Sequence, residues 1–261
     1  MAMTLAEAII AKHTKDPVEA GAICRVSVDF AFTNDITGPP AIKEFRKMGA
    51  KKVFDPMRCA ILPDHFSPAK DIASAEQIKE CREFAYEQDM LFWEVGRVGV
   101  EHTFLPENGL VLPGEIVLGA DSHTCTHGAA GALATGVGST DLAAAWALGE
   151  TWLRVPETMK VSYEGTPSEW ICGKDMILAL IGKIGVEGAR YMALEFHGDA
   201  LAKLGLDDRF TLSNMAIEAG GKTGLINPDE KLLQYARERA ARHFEPIFAD
   251  KGAVYASSLT I

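Results

Sequence analysis

The stretch GADSHTCTHGA, Gly119 to Ala129, sets an aspartate, a serine, two histidines and a cysteine among small residues. Three chemistries fit those types. His123 and His127 stand four apart, which on a helix puts two imidazoles on one face for a metal. Ser122 or Cys125 would serve as a nucleophile. Alternatively, the group would offer proton and hydrogen-bond donors to a polar substrate. The first two are incomplete. A zincin helix needs a glutamate directly after the first histidine, where this chain has Thr124. A tetrahedral zinc site wants further His or Cys at close spacing. A nucleophile elbow requires GxSxG rather than DSH. Substrate contact and proton transfer remain.

Other polar groups follow apolar runs in the same way. CAILPDH brings Asp64 and His65, EVGRVGVEH brings Glu101 and His102, and MALEFHG brings Glu195 and His197. Each alone reads as a turn former, a helix cap or a satisfied buried group. Together they suggest one cleft lined by imidazole and carboxylate, because ligands of α/β sheets bind at the carboxyl ends of strands. The glycines of ATGVGSTD complete neither a dinucleotide nor a Walker pattern and read equally as helix punctuation.

The elements that must hold these residues alternate in type. TLAE from Thr4 is a capping-box signal for a helix to about Lys12. RVSVDF, CAIL, LFWEV, EIVLGA, MKVSY and ARYMALEF read as strands, with KKVF a further short apolar run. GPPAIKEFRKMG, SAEQIKECREFAYEQ beginning at Ser74, Thr140–Gly149, KDMILALIGKIG and DEKLLQYARERAAR read as helices. This alternation predicts an α/β fold. RVPETM marks a division into residues 1–157 and 158–261. The final GAVYASSLTI reads as a strand, and an end there suggests a piece of a longer chain.

The formal net charge of −10 argues against a nucleic-acid grip through a basic face. KEFRK and RERAAR read as solvated helical faces. No segment has the apolar length of a membrane span and no signal peptide is evident, so a cytoplasmic protein is expected. The five cysteines (Cys24, Cys59, Cys81, Cys125 and Cys172) are scattered with no CxxC pair, as in a reduced chain without disulfides.

Taken in order, TNDITGPPAI, PDHFSP, GVEHTFLPENGLVLPGEIVLGADSHTCTHGA, ATGVGSTDLA, ETWLRVPETMKV, EFHG and LSNMAIEAGGKTGLINPDE resemble the aconitase superfamily. The likeness is nearest to its branch of 3-isopropylmalate dehydratase and homoaconitase large subunits. It implies three-layer α/β/α subdomains and a hydro-lyase acting on a 2-hydroxy di- or tricarboxylate, with a role in leucine synthesis. A [4Fe-4S] cluster would be the Lewis acid of the complete enzyme, and a small swivelling-domain subunit the partner in a heteromer. The resemblance implies that Asp64 and His65 form a proton-delivering pair, that His102 pairs with Asp121 and His123 with Glu195. It implies that Ser122 bonds a substrate carboxylate, and that Asn34 or Asp35 contacts substrate. The cluster-binding cysteines of the family lie in a third subdomain that this chain lacks. No metal ligand and no bound cluster are therefore expected of this chain alone, which would be inactive by itself. The branch that binds RNA without a cluster, dimethylmalate or homoaconitate as substrate, and a zinc hydrolase using His123 and His127 are the alternatives.

Overall fold

The computed structural model describes residues 2–261. The capping box forms as expected. The Thr4 hydroxyl accepts from the Glu7 N–H, and Glu7 Oε2 accepts from the Thr4 N–H at 2.9 Å, opening α1 (Leu5–His13). RVSVDF, expected as one strand, is divided between β1 (Ile23–Ser27) and β2 (Phe30–Asn34). The division follows burial. β1 alternates buried and exposed residues and pairs antiparallel with β7 (Glu150–Arg154) in a two-stranded ribbon. β2 is buried throughout, as a strand covered on both faces must be.

After β2 the chain alternates. α2 (Gly38–Lys47), β3 (Cys59–Leu62), α3 (Ile72–Gln88), β4 (Leu91–Phe92) and α4 (Glu101–Glu107) come first. Next come β5 (Ile116–Gly119), a 3-10 helix over Ser122–Ala130, β6 (Leu133–Gly136) and α5 (Ser139–Leu148). The cap of α3 is Asp71 and not Ser74, whose N–H and hydroxyl both donate to Asp71 Oδ1. KKVF forms no strand. The five strands lie in the order β4-β3-β2-β5-β6, all parallel. On one face Phe45, Phe84 and Trp146 of α2, α3 and α5 cover Ile61 and Leu118. On the other, Leu105 of α4 and Ala130 of the 3-10 helix cover Phe32, Leu62 and Val117. These are the three layers of an α/β/α sandwich.

The second half builds β8 (Thr158–Ser162), α6 (Gly173–Ile184), β9 (Ala193–His197), α7 (Asp199–Lys203) and α8 (Leu206–Asn214). It continues with β10 (Thr223–Ile226), α9 (Glu230–Arg239) and β11 (Ser257–Thr260). Its sheet, β10-β9-β8-β11, is also parallel. All strands of the larger sheet precede Pro156 and all strands of the smaller one follow it. Their cores nevertheless share one element. Cys125 and Ala129 of the 3-10 helix pack with Leu194, Leu212 and Ile226 of the second half, while Ala130 belongs to the first. Gly128 lets this helix approach β10, since a Cβ there would run into the Gly224 carbonyl. Among the described residues no helix is long and apolar enough to cross a membrane.

Candidate active site

Strand order creates the site. β2 leads to β3 and β4 on one side, whereas β5 and β6 lie on the other, so the winding reverses between β2 and β5. A crevice opens at such a reversal, outside the carboxyl ends of the strands. β2 ends in Asn34 with Asp35 next, β3 is followed by Asp64 and His65, and β5 by Asp121, Ser122 and His123. His102 arrives differently, from the first turn of α4.

Asp121 is the hub. Its Oδ1 takes His102 Nε2 at 2.9 Å and the His123 backbone N–H at 2.7 Å, and its Oδ2 lies 3.9 Å from His65 Nε2. Burial alone would raise its pKa, but the hydrogen bonds from His102 and His123 outweigh burial and hold it at about 2. The same carboxylate caps the 3-10 helix. His65 Nδ1 meets Asp64 Oδ1 at 2.6 Å, the expected pair, and the His65 side chain is 37% exposed. Asp64 Oδ2 accepts the Glu101 N–H at 2.7 Å, tying this pair to α4.

Asn34 and Asp35 belong to the site, but their side chains face inward. Asn34 Oδ1 accepts from the backbone of Ile36 and Thr37, and its Nδ2 donates to Glu101 Oε1 at 3.3 Å. Asp35 accepts the backbone N–H groups of His65 (3.1 Å) and Phe66 (2.7 Å). Both are buried rather than open to a ligand: Asp35 holds the loop that presents His65, and Asn34 holds its own turn and Glu101.

Glu195 is not in the cleft. His123 Nε2 lies 3.2 Å from Glu218 Oε1 instead, and its Nδ1 is 3.2 Å from the Ser122 hydroxyl. Glu195 points to the other side of the smaller sheet, where Oε1 accepts from His197, Asn227 and the Tyr255 hydroxyl and Oε2 from the Leu5 N–H. The reason is the strand period of two: Glu195 and His197 share a face of β9 and satisfy each other. Glu218 lies within the LSNMAIEAGG block, whose residue types gave no sign of which acid would face His123.

Two groups that the sequence had placed in the cleft or in a metal pair, Glu101 and His127, lie buried beneath it. Glu101 is 1% exposed, and burial together with the nearby Asp64 and Asp121 carboxylates pushes its pKa well above the ordinary range. His127 is fully buried, edge-on to Phe32 and His102, with centroids 5.5 Å from each, and neither ring nitrogen has a partner. Burial keeps it neutral, and it joins neither of the candidate metal-ligand groups among the described residues.

The cysteines do not form a cradle for an iron–sulfur cluster. Four are buried, Cys172 is exposed at the start of α6, and Cys125 Sγ donates to the Asn214 carbonyl with its pKa pushed up to about 12 by burial. Among the described residues the groups of three candidate metal ligands are Asp35, Asp64 and His65, and Glu101, His102 and Asp121, with no sulfur in either.

The chain belongs to the aconitase family: the family model described as aconitate hydratase matches residues 7–259. Within that family, it is 55% identical over 263 residues to the 3-isopropylmalate dehydratase large subunit of Moorella thermoacetica, covering 100% of this chain and 62% of the relative. It is 57% identical over 255 residues to 3-isopropylmalate dehydratase large subunit 1 of Pyrococcus furiosus, covering 97% of this chain and 60% of that protein. The chain thus spans about three-fifths of the length of these curated relatives.

Proposed function

We propose that this chain supplies the imidazole and carboxylate side of a hydro-lyase active site. The reaction would dehydrate 3-isopropylmalate and rehydrate it at the neighbouring carbon, the step in leucine synthesis that the names of its relatives imply. The observation that carries this reading is His65, anchored through Nδ1 on Asp64 at 2.6 Å with its Nε2 end at the cleft beside Asp121. Hydroxide is a poor leaving group, so dehydration needs an acid at the departing oxygen. His65 delivers that proton from Nε2, and the Asp64 carboxylate at Nδ1 fixes the ring. Ser122 holds a substrate carboxylate. His123, set between Ser122 and Glu218, and His102, set on Asp121, orient the leaving hydroxyl and the water that returns.

The cluster of the family, which supplies Lewis acidity when bound, finds no ligands here and would be held by a segment outside residues 1–261. The base and further carboxylate contacts would come from a small subunit, in a cytoplasmic heteromer. The test is to join the chain to the remaining segment of such a large subunit, with cluster and small subunit. Incubation with 3-isopropylmalate should then give the unsaturated intermediate, read by ultraviolet absorbance. Turnover of homocitrate or dimethylmalate alone would reassign the substrate. No turnover of any, with RNA retained on a filter, would replace the enzymatic reading.

A further inference from the structure

A second imidazole stands directly behind His102. His127 shares the 3-10 helix with His123, but with three residues per turn a side chain four positions on lies about a third of a turn away. His123 is therefore partly exposed, whereas His127 faces inward with no exposed surface. His102 reaches the same wall from α4, and its Nδ1 is buried there. Among the described residues neither His102 Nδ1 nor either ring nitrogen of His127 has a hydrogen-bond partner. The two rings meet at 5.5 Å between centroids and 61° between planes. Phe32, packed against both, has no nitrogen or oxygen on its side chain to offer. The nearby hydroxyls of the same helix are committed: Thr124 donates to the Asp121 carbonyl, and Thr126 donates to the His123 carbonyl while accepting from Asn214.

Buried polar atoms are costly to leave unpaired, and on these adjoining rings each imidazole has the other to turn to. Asp121 sets which one donates. Its carboxylate is ionised and can only accept, so His102 Nε2, at 2.9 Å, carries the proton, and Nδ1 of the neutral ring is a lone pair. His127, kept neutral by burial and by His102 beside it, has one N–H to give. We infer that His127 is a positioning residue whose N–H serves His102 Nδ1, so that a buried chain runs from His127 through His102 to Asp121 and locks His102 as the Nε2–H tautomer. The tautomer of an imidazole is set by the bond its other nitrogen makes, so His102 is fixed as a donor before substrate arrives. The inference rests on the reading above, in which His102 orients the leaving hydroxyl, and names what orients His102.

The competing role is packing alone, in which His127 only fills space beside Phe32. Proton–nitrogen NMR spectra of the histidine rings separate the two in the 261-residue chain at neutral pH. The parent should show His102 with its proton on Nε2 and a bare Nδ1, and one His127 N–H protected from solvent exchange. A proton on His102 Nδ1, alone or beside one on Nε2, would overturn the inference, and this reading needs no variant to fold. His127→Phe keeps an aromatic ring but gives no N–H, and should leave His102 a mixture of tautomers. His127→Asn and His127→Gln set an amide N–H near the place of Nδ1 and of Nε2, and one of them should restore the single tautomer. A parent-like His102 spectrum in folded His127→Phe, or a loss that neither amide restores, would make His127 a packing residue. In the assembled enzyme His127→Phe should lower kcat about ten- to a hundredfold at nearly constant KM, with recovery in the same amide variant. Parent-like kcat in a variant whose His102 spectrum has changed would overturn the positioning role. Absence of turnover in the parent would strike the hydro-lyase reading instead, and the spectra would still decide the chain of rings.

Discussion

His65 and Glu101 show how neighbouring residues of one cleft take opposite tasks. His65 is partly exposed and held by one carboxylate, whereas Glu101 is sealed beneath it among Asp35, Asp64 and Asp121. In the assembled enzyme proposed above, with His65 as its proton donor, His65→Asn would keep size and polarity but could not deliver a proton. It should lower kcat about a hundred- to ten-thousand-fold with little change in KM. Asp64→Asn should act in the same direction but less. A rise in KM alone for His65→Asn would mean uniform binding and would move the acid role to His123. Glu101 yields a pH prediction. Its folded pKa lies above its unfolded value, so the folded state binds the extra proton and the contribution of this group to stability falls as pH rises through that window. Glu101→Gln is neutral at every pH. The stability of the variant relative to the parent should therefore grow as pH is raised from about 5 to 8. Asp121, with its depressed pKa, changes stability in the other sense at acid pH, but equally in both proteins. Urea melts giving the same difference at both ends would show that Glu101 does not change protonation on folding.

At the scale of elements, the Ser122–Ala130 helix matters most, because one residue run serves both the site and the seam. Asp121 caps it while holding His102, His123 lies in its first turn, and its far end packs into both cores. A 3-10 run of nine residues is long for that geometry and persists here through packing rather than propensity. Gly128→Ala should force the helix off β10, at a cost of about 1 to 3 kcal/mol in denaturant melts. It should also loosen the His123–Glu218 contact, which bridges the two halves. A parent-like melting curve would show that the backbone at Gly224 gives way freely. The same run accounts for the misassigned partner of His123. With the helix docked against β10 and α8, the acid it meets comes from the turn after α8, not from β9.

Across the whole molecule, the stretch after α9 runs back over the first half before returning to the second sheet as β11. Arg242 Nη2 meets both Glu115 oxygens at 2.7 and 2.8 Å and also donates to the Leu110 carbonyl at 2.8 Å. Asp250 exchanges hydrogen bonds with Met3, and Tyr255 reaches Glu195. Glu195 therefore has a structural task, joining α1, β9, the end of β10 and this returning stretch. Glu115 is 8% exposed, and its burial outweighs the pull of Arg242, leaving its pKa above the ordinary range. Removing the arginine strands a buried carboxylate with Arg58 as its remaining cation. Arg242→Met should cost about 3 kcal/mol by chemical denaturation. The double variant Glu115→Gln, Arg242→Met should recover part of the loss. No recovery would mean that the arginine acts mainly through the carbonyls it caps.

Local chemistry determined what the amino-acid order could show. The Thr4 capping box, the proline-led α2 and the apolar runs of β3, β5, β8 and β9 depend on residues within a turn or two of one another, so they were legible. So were the pairs Asp64–His65 and His102–Asp121, through motifs whose residues the resemblance had already matched. Hidden were α4, α7, α8, β6, β10 and the Ser122–Ala130 helix, rich in small or polar residues that take their conformation from what they pack against. The division of RVSVDF was hidden too, because only a partner strand far along the chain, with Arg154 opposite Ile23 and Glu150 opposite Ser27, makes β1 a separate ribbon. His123 and Glu218 are 95 positions apart, and nothing in either neighbourhood encodes their meeting. Strand order decided which carboxyl ends would adjoin, and the docking of one glycine-bearing helix decided which acid would face the third imidazole. Such pairings are set by the collective burial of many side chains and have no local signature.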